Sequence, residues 1–197
     1  GRSASGAFSR RQSSSPVTPS RTLMPVPPRR AGSLEAELSA LRSPAVVGAG
    51  ASGVPAALAA AESGASVAVI QKHPMPVSQG NTGSGIDLAT SDKAGVEALV
   101  ARLISDSAHR CSPALIRQWA YNSGEAVRWV IDRAKQGGAQ VVDQGSAPQF
   151  AIRKVNGYTL NYVTSFFGPK PYTTGDGMRA LAKVAEKAGV RFFFRMP

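Results

Sequence analysis

The sequence predicts an α/β fold over residues 43–197, partial in extent, preceded by a disordered basic tail over residues 1–42. Three observations lead there. A short apolar run, "AVV" from Ala45, is followed by a glycine-spaced turn and an alanine-rich helical stretch. A second β-branched run, "SVAVI" from Ser66, comes next. Strand, helix and strand within about thirty residues form a βαβ unit, whose strands run parallel.

Each element has a local reason. "ASGVPAALAAAESG" reads as a helix stopped by Gly64, where a left-handed residue closes the last turn. "SVAVI" reads as a strand because it is β-branched and followed by polar residues. "SQGNTGSGIDLATSDK" from Ser78 reads as a polar, glycine-rich loop. "KAGVEALVARLISDSAHR" places Val96, Leu99, Val100, Leu103 and Ile104 on one helix face, with His109 at its end. The next helix has Ser112 as cap, Pro113 in its first turn and Gly137–Gly138 as its stop. Trp119, Val127, Val130 and Ile131 define its expected buried side. "AQVVDQ" and "QFAIRKVNGYTLNYVTSF" read as strands, the latter broken by an Asn156–Gly157 hairpin turn. A last helix begins at Thr173–Asp176 and ends at Gly189, leading into a strand over Val190–Arg195.

The tail is of another kind. Residues 1–42 hold seven arginines against Glu35 and Glu37, so +5 of the chain's +11 lies there. Ser, Pro and Arg dominate, and no apolar period appears before Leu34, so this segment cannot bury enough surface to offset chain entropy. Ser33 is placed to cap a short helix, "SLEAELSALR". "SRRQ" at Ser9–Gln12 resembles the start of a twin-arginine export signal but lacks the apolar segment that must follow. The compartment therefore stays open. With the basic charge concentrated in such a tail, nucleic acid is not an expected partner.

Cys111 is the only cysteine, and His73 and His109 have no partners at ligand spacing, so no protein-held metal is expected. Pro44 to Ala61 is uncharged, but it is mostly Ala and Gly and contains Pro55. Its transfer energy is too small for a membrane span, and none is expected.

The chemistry resides in Gly48-Ala49-Gly50-Ala51-Ser52-Gly53, a G-x-G-x-x-G pattern between strand and helix. Gly48 allows the tight turn, Gly50 the approach of a pyrophosphate to the backbone, and Gly53 close packing of helix on sheet. Ala51 and Ser52 open the helix, whose free N–H groups and positive dipole end face the phosphates. Gln71 closes the second strand, where a Rossmann-type fold commonly carries an acidic residue for a ribose. Its amide keeps one acceptor oxygen without charge. Lys72 follows, within reach of a phosphate or of solvent.

"VVGAGASGVPAALAAAESGASVAVIQK" followed by "SQGNTGSGI" resembles the N-terminal part of the FAD-binding domain of the fumarate reductase/succinate dehydrogenase flavoprotein family. The similarity is to its soluble bacterial branch, which includes 3-ketosteroid dehydrogenases, and it covers roughly Ala45 to Pro197. It implies a Rossmann-like fold and FAD as cofactor. It implies that Gly80, Asn81, Thr82, Gly85 and Ile86 touch the pyrophosphate and the flavin end, the glycines leaving room for the flat ring. It also implies an oxidoreductase that passes hydride between flavin and an activated carbon–carbon bond of a small carboxylate or enone. A plain NAD-binding domain has no need of this second loop. The family's substrate-binding and proton-donating residues come from later segments, so no catalytic residue is assigned, and His109, Cys111, Arg153 and Lys154 are not candidates. The chain is expected to be a fragment, inactive and a weak FAD binder alone; the alternative is a non-catalytic product without cofactor.

Two departures accompany the resemblance: Gln71 in place of the family's glutamate, and Pro44 where a central first strand needs a ladder donor. Native family sequence is expected to begin near Ala45. The upstream segment is then an unrelated leader or the product of a shifted reading frame. Oligomeric state is not legible.

Overall fold

The computed structural model describes residues 44–80, 82–143, 152–155 and 157–196. The basic tail, the helix expected at Ser33, and Asn81 lie outside these residues.

The βαβ unit forms as the pattern predicts. β1 (Ala45–Val47) leads into α1 (Gly53–Glu62), which returns to β2 (Ala68–Gln71). β1 pairs parallel with β2, Val46 opposite Val69. The last strand, β7 (Arg191–Phe194), pairs parallel on the other side of β2, Val69 opposite Phe192. Among the described residues β1 is therefore an edge strand rather than the central one expected. Pro44 precedes it without interrupting a ladder, and its carbonyl accepts from the Ala68 N–H at 3.4 Å. α1 ends as predicted, with Gly64 at φ +89° and the Ala65 N–H reaching back to the Ala60 carbonyl.

A second, antiparallel sheet contains β3 (Thr82–Ile86), β6 (Tyr158–Phe167) and β4 (Val141–Asp143) in the order β3-β6-β4, with β5 (Ile152–Val155) paired to β6. Val155 pairs with Tyr158, and Gly157 takes φ +84°; Asn156, the other residue of the expected turn, lies outside the described residues. β3 is a correction. The stretch read as a loop is a strand, because pairing with β6 (Ser84 opposite Thr164) supplies the ladder that its glycines and serine give no propensity for. The Ser84 and Thr164 hydroxyls add a cross-strand hydrogen bond of 3.0 Å.

Among the described residues, helices α2 (Lys93–Asp106), α3 (Pro113–Gln136) and α4 (Thr174–Lys187) complete the fold. α4 is amphipathic: Met178, Leu181, Ala182 and Ala185 recur at helical spacing and are buried with Val54, Leu58 and Val69 in the larger core. The smaller core gathers Ile86, Val96, Val100, Ala120 and Leu160 between α2, α3 and the antiparallel sheet. The buried stripe of α3 runs through Ala120, Ser123, Gly124, Ile131 and Ala134. Trp119, expected inside, is 43% exposed. The reason is close approach: small residues carry α3 against β3, and Trp119 falls one position off that stripe.

α2 ends differently from the reading that placed His109 in its last turn. The helix stops at Asp106, and Ala108 and His109 both take left-handed backbone, at φ +49° and +59°. An L-residue there costs roughly 1–2 kcal/mol. Ala108→Gly is expected to raise stability by about 1 kcal/mol in urea unfolding; a loss would show that Ala108 is not strained.

α2 and α3 are clasped at the surface by Glu97, which accepts from the Tyr121 hydroxyl and from Arg117 (2.6 Å). The Tyr121 hydrogen bond, and after it Arg117, holds the Glu97 carboxyl below its ordinary pKa, and the same bond raises Tyr121. A depressed carboxyl contributes stability above its unfolded pKa that is lost as pH falls through the folded value; the raised phenol loses its contribution as pH rises through its folded value. The clasp therefore acts between these limits. Tyr121→Phe is expected to move the Glu97 titration upward in an NMR pH series, and an unmoved curve would remove Tyr121 as the leading cause.

Candidate cofactor-binding site

The glycine turn is built against the ends of β1 and β2. Gly48, at φ +99°, donates its N–H to the Ile70 carbonyl at 2.8 Å, which places the turn beside the end of β2. Gly53 backs onto it: a Cβ there would lie 1.8 Å from the Gly48 carbonyl oxygen and 3.3 Å from Val46 Cγ1. Only a hydrogen fits, so α1 begins tight against the turn. Ala51 and Ser52 are exposed at the head of α1, and Ser52 makes no side-chain cap bond. In the first turn of α1 the Val54 N–H is taken by the Gly50 carbonyl at 3.1 Å and Pro55 has no N–H, so this end offers a ligand the N–H groups of Ser52 and Gly53 and its positive dipole end.

Two other segments close on this turn. The Val77 N–H donates to the Ala49 carbonyl at 3.2 Å, and a Cβ on Gly50 would lie 3.3 Å from the Val77 carbonyl oxygen. The carbonyl of Gly80, at φ +85°, accepts from the Thr174 N–H at 2.9 Å, which ties the same loop to the head of α4. Between the heads of α1 and α4 lies a cavity of about 350 Å³. Ala51, Ser52 and Thr174 form part of its wall; Gly83 of β3, Val127 and Val130 of α3 form another. A Cβ on Gly83 would meet nothing within 4 Å.

The residues singled out in the sequence are thus not all alike. Gly48, Gly50, Ala51, Ser52 and Gly53 make one cradle. Gln71 closes β2 and is 7% exposed; its backbone carbonyl accepts from Met196. Lys72 is exposed. Gly80 is joined to α4 as above. Asn81 lies outside the described residues, and Thr82 is the first residue of β3, opposite Phe166. Gly85 and Ile86 serve packing. The space at Gly85 is filled by α3, since a Cβ would lie 2.2 Å from the Ser123 carbonyl oxygen, so it is not room for a ring. Ile86 is 1% exposed in the smaller core, its N–H bonded to Ser123 Oγ at 3.0 Å. Sequence reasoning missed the wall from α3 and the part played by α4; the only local signal was the Thr-Thr-Gly start of that last helix.

Among the described residues no helix is long and apolar enough to cross a membrane, and no group of three His, Cys, Asp or Glu side chains converges as a metal site would need.

The arrangement fits a dinucleotide. The cradle at Gly50 is one that a Cβ would narrow, donors stand at the head of α1, an amide stands at the end of β2, and a mostly apolar cavity adjoins them. Cavities of roughly 300–1,000 Å³ are the usual size for small-molecule sites, and this one would take part of such a ligand.

Comparison with known proteins agrees. The 3-ketosteroid-Δ4-(5α)-dehydrogenase of Rhodococcus jostii RHA1, solved with 4-androstene-3,17-dione, is 20% identical with a TM-score of 0.53, over 77% of this chain and 37% of that one. That likeness is one of fold, and the chain spans little more than a third of that protein's length. The THI4 protein of Thermovibrio ammonificans is 16% identical over 83% of this chain and 42% of its own, with a TM-score of 0.33. The L-amino acid deaminase of Proteus vulgaris is 16% identical over 77% and 39%, with a TM-score of 0.33. No curated protein sequence matches the chain. The family described as FAD binding domain matches residues 44–197, so the chain belongs to that family and its cofactor is FAD.

Proposed function

We propose that this chain is the dinucleotide-binding part of an FAD-dependent oxidoreductase of the fumarate reductase-like kind. The observation that carries the reading is that the glycine turn and the head of α4 wall one cavity and are tied together by the Val77–Gly80 loop. FAD, when bound, supplies hydride chemistry; the protein binds, orients and shields it. Gly48–Gly53 and the first turn of α1 hold the pyrophosphate. Gln71 accepts from the adenosine ribose. The cavity beside β3 excludes water from the flavin-side half.

The substrate class that goes with this reading is a small carboxylate or enone with an activated carbon–carbon bond, by resemblance to the fumarate reductase-like branch. Residues that bind it and donate its proton belong, in this proposal, to segments outside the 197 residues. The chain by itself is then a weak FAD binder without turnover. Titrating FAD into the purified chain, followed by flavin fluorescence and the visible spectrum, tests both parts. Saturable, weak binding without substrate-dependent flavin oxidation or reduction is expected. Tight stoichiometric flavin would overturn the weak-binding claim, and no saturation would overturn the reading itself.

A further inference from the structure

We infer that the open apolar groove between the end of α2 and the start of α3 is a binding site for a long-chain carboxylate, its chain laid along the groove and its head on Arg110. The groove measures about 840 Å³ and shares no lining residue with the cavity at the glycine turn, so the site stands apart from the FAD reading.

The turn that joins the two helices preforms the groove. Ala108 and His109 take left-handed backbone, and the N–H groups of Ala108, His109 and Arg110 donate to the Ser105, Ile104 and Ser107 carbonyls at 2.8, 3.0 and 3.1 Å. Leu103 of α2 and Leu115, Ile116 and Trp119 of α3 line the groove. Ile116 packs against the smaller core, whereas Leu115 is 67% and Trp119 43% exposed. Two large apolar side chains therefore stand in water along one wall. Covering them contributes roughly 25 cal/mol per Å² of apolar surface removed from water.

Charge selects the occupant. Asp106, on the α2 wall, is paired with Arg102 at 3.3 Å. Ser107 Oγ donates to the Ile104 carbonyl at 2.7 Å and accepts from the Cys111 N–H at 3.4 Å. The Ser112 hydroxyl makes no cap bond and adds a neutral donor. Arg110, which also lines the groove, makes no ion pair or side-chain hydrogen bond among the described residues. An apolar trough with a single uncompensated cation at its turn matches one anionic head on one apolar chain. A lipid surface is a poorer match, since it is held by clusters of several Lys and Arg, and here one cation stands beside the Asp106 carboxylate.

Cys111, the chain's only cysteine, is exposed and lines the groove, so its thiol reports occupancy. The test follows labelling of Cys111 in the full chain by a neutral maleimide, with decanoate, dodecanoate and dodecyltrimethylammonium each kept below its micelle concentration. Dodecanoate is expected to slow labelling saturably, and with about tenfold higher affinity than decanoate, because two more methylenes leave water. Arg110→Gln is expected to weaken dodecanoate about two- to fivefold, the worth of one exposed ion pair. Leu115→Glu is expected to abolish protection while its melting temperature stays near wild type, the native side chain being exposed. The inference fails if dodecanoate gives no saturable protection, if dodecyltrimethylammonium protects as well, or if Arg110→Gln or Leu115→Glu binds dodecanoate like wild type. It fails too if protection needs anionic lipid vesicles, which would make the groove a membrane contact, or if labelling slows with protein concentration alone, which would make it a contact between copies.

Discussion

Gly53→Ala is expected to destabilise the protein by about 3 kcal/mol or more, and through folding rather than through ligand contact. The added Cβ would stand 1.8 Å from the Gly48 carbonyl oxygen. No side chain can rotate away, because the obstacle is backbone. Overpacking costs typically 1–3 kcal/mol where side chains can yield, and more where only backbone can. Alanine favours the helix by about 1 kcal/mol over glycine, too little to offset this. Set against a typical total stability of roughly 5–15 kcal/mol, the change is large. Gly50→Ala provides the contrast. Its Cβ would meet only the Val77 carbonyl oxygen at 3.3 Å, a shift of a few tenths of an ångström. Its urea midpoint is expected to stay near wild type while FAD affinity falls roughly tenfold or more, because the methyl occupies the approach of the pyrophosphate. Equal unfolding midpoints for the two variants would refute this division of labour between the glycines.

The second large effect is expected where α3 crosses β3. A Cβ on Gly124 would lie 2.0 Å from the Ile86 carbonyl oxygen, and one on Gly85 would lie 2.2 Å from the Ser123 carbonyl oxygen. The two glycines face each other's neighbours, so helix and strand touch backbone to backbone. Gly124→Ala gains about 1 kcal/mol of helix propensity and loses more to the overlap, leaving a net destabilisation of about 2 kcal/mol. Because Val127 and Val130 are on the same helix, displacing α3 also shifts the cavity wall, and riboflavin affinity is expected to fall. The double variant Gly85→Ala/Gly124→Ala is expected to cost less than the sum of the singles, since one displacement of α3 relieves both overlaps. Additive losses in urea unfolding would show that the glycines act at separate contacts.

Much of this was legible because it is local. The strand–turn–helix–strand order, the Gly64 and Gly137–Gly138 stops and the pairing of Val155 with Tyr158 depend on residues close in sequence. Fingerprint glycines were legible for the same reason, and the structure gives Gly48 the positive φ of a tight turn and Gly53 the close packing that the pattern implies. What the sequence hid depends on partners far along the chain. β3 is a strand by virtue of β6, some eighty residues later (Ser84 opposite Thr164). Gly85 resembled a glycine making room for a ring, but a glycine making room for a helix has the same sequence. Trp119 is hydrophobic enough to suggest burial, but small residues, Ser123 and Gly124, carry the contact of α3 with β3.

In the proposed function, Gly48–Gly53 and the adjoining cavity hold FAD. Calorimetric titration of FAD into the full chain, alongside Gly50→Ala, tests it most directly. Wild type is expected to give a saturable isotherm, competed by ADP, and Gly50→Ala a weakened one with an unchanged melting temperature. No saturable binding by wild type, or equal binding by a normally folded Gly50→Ala, would contradict it.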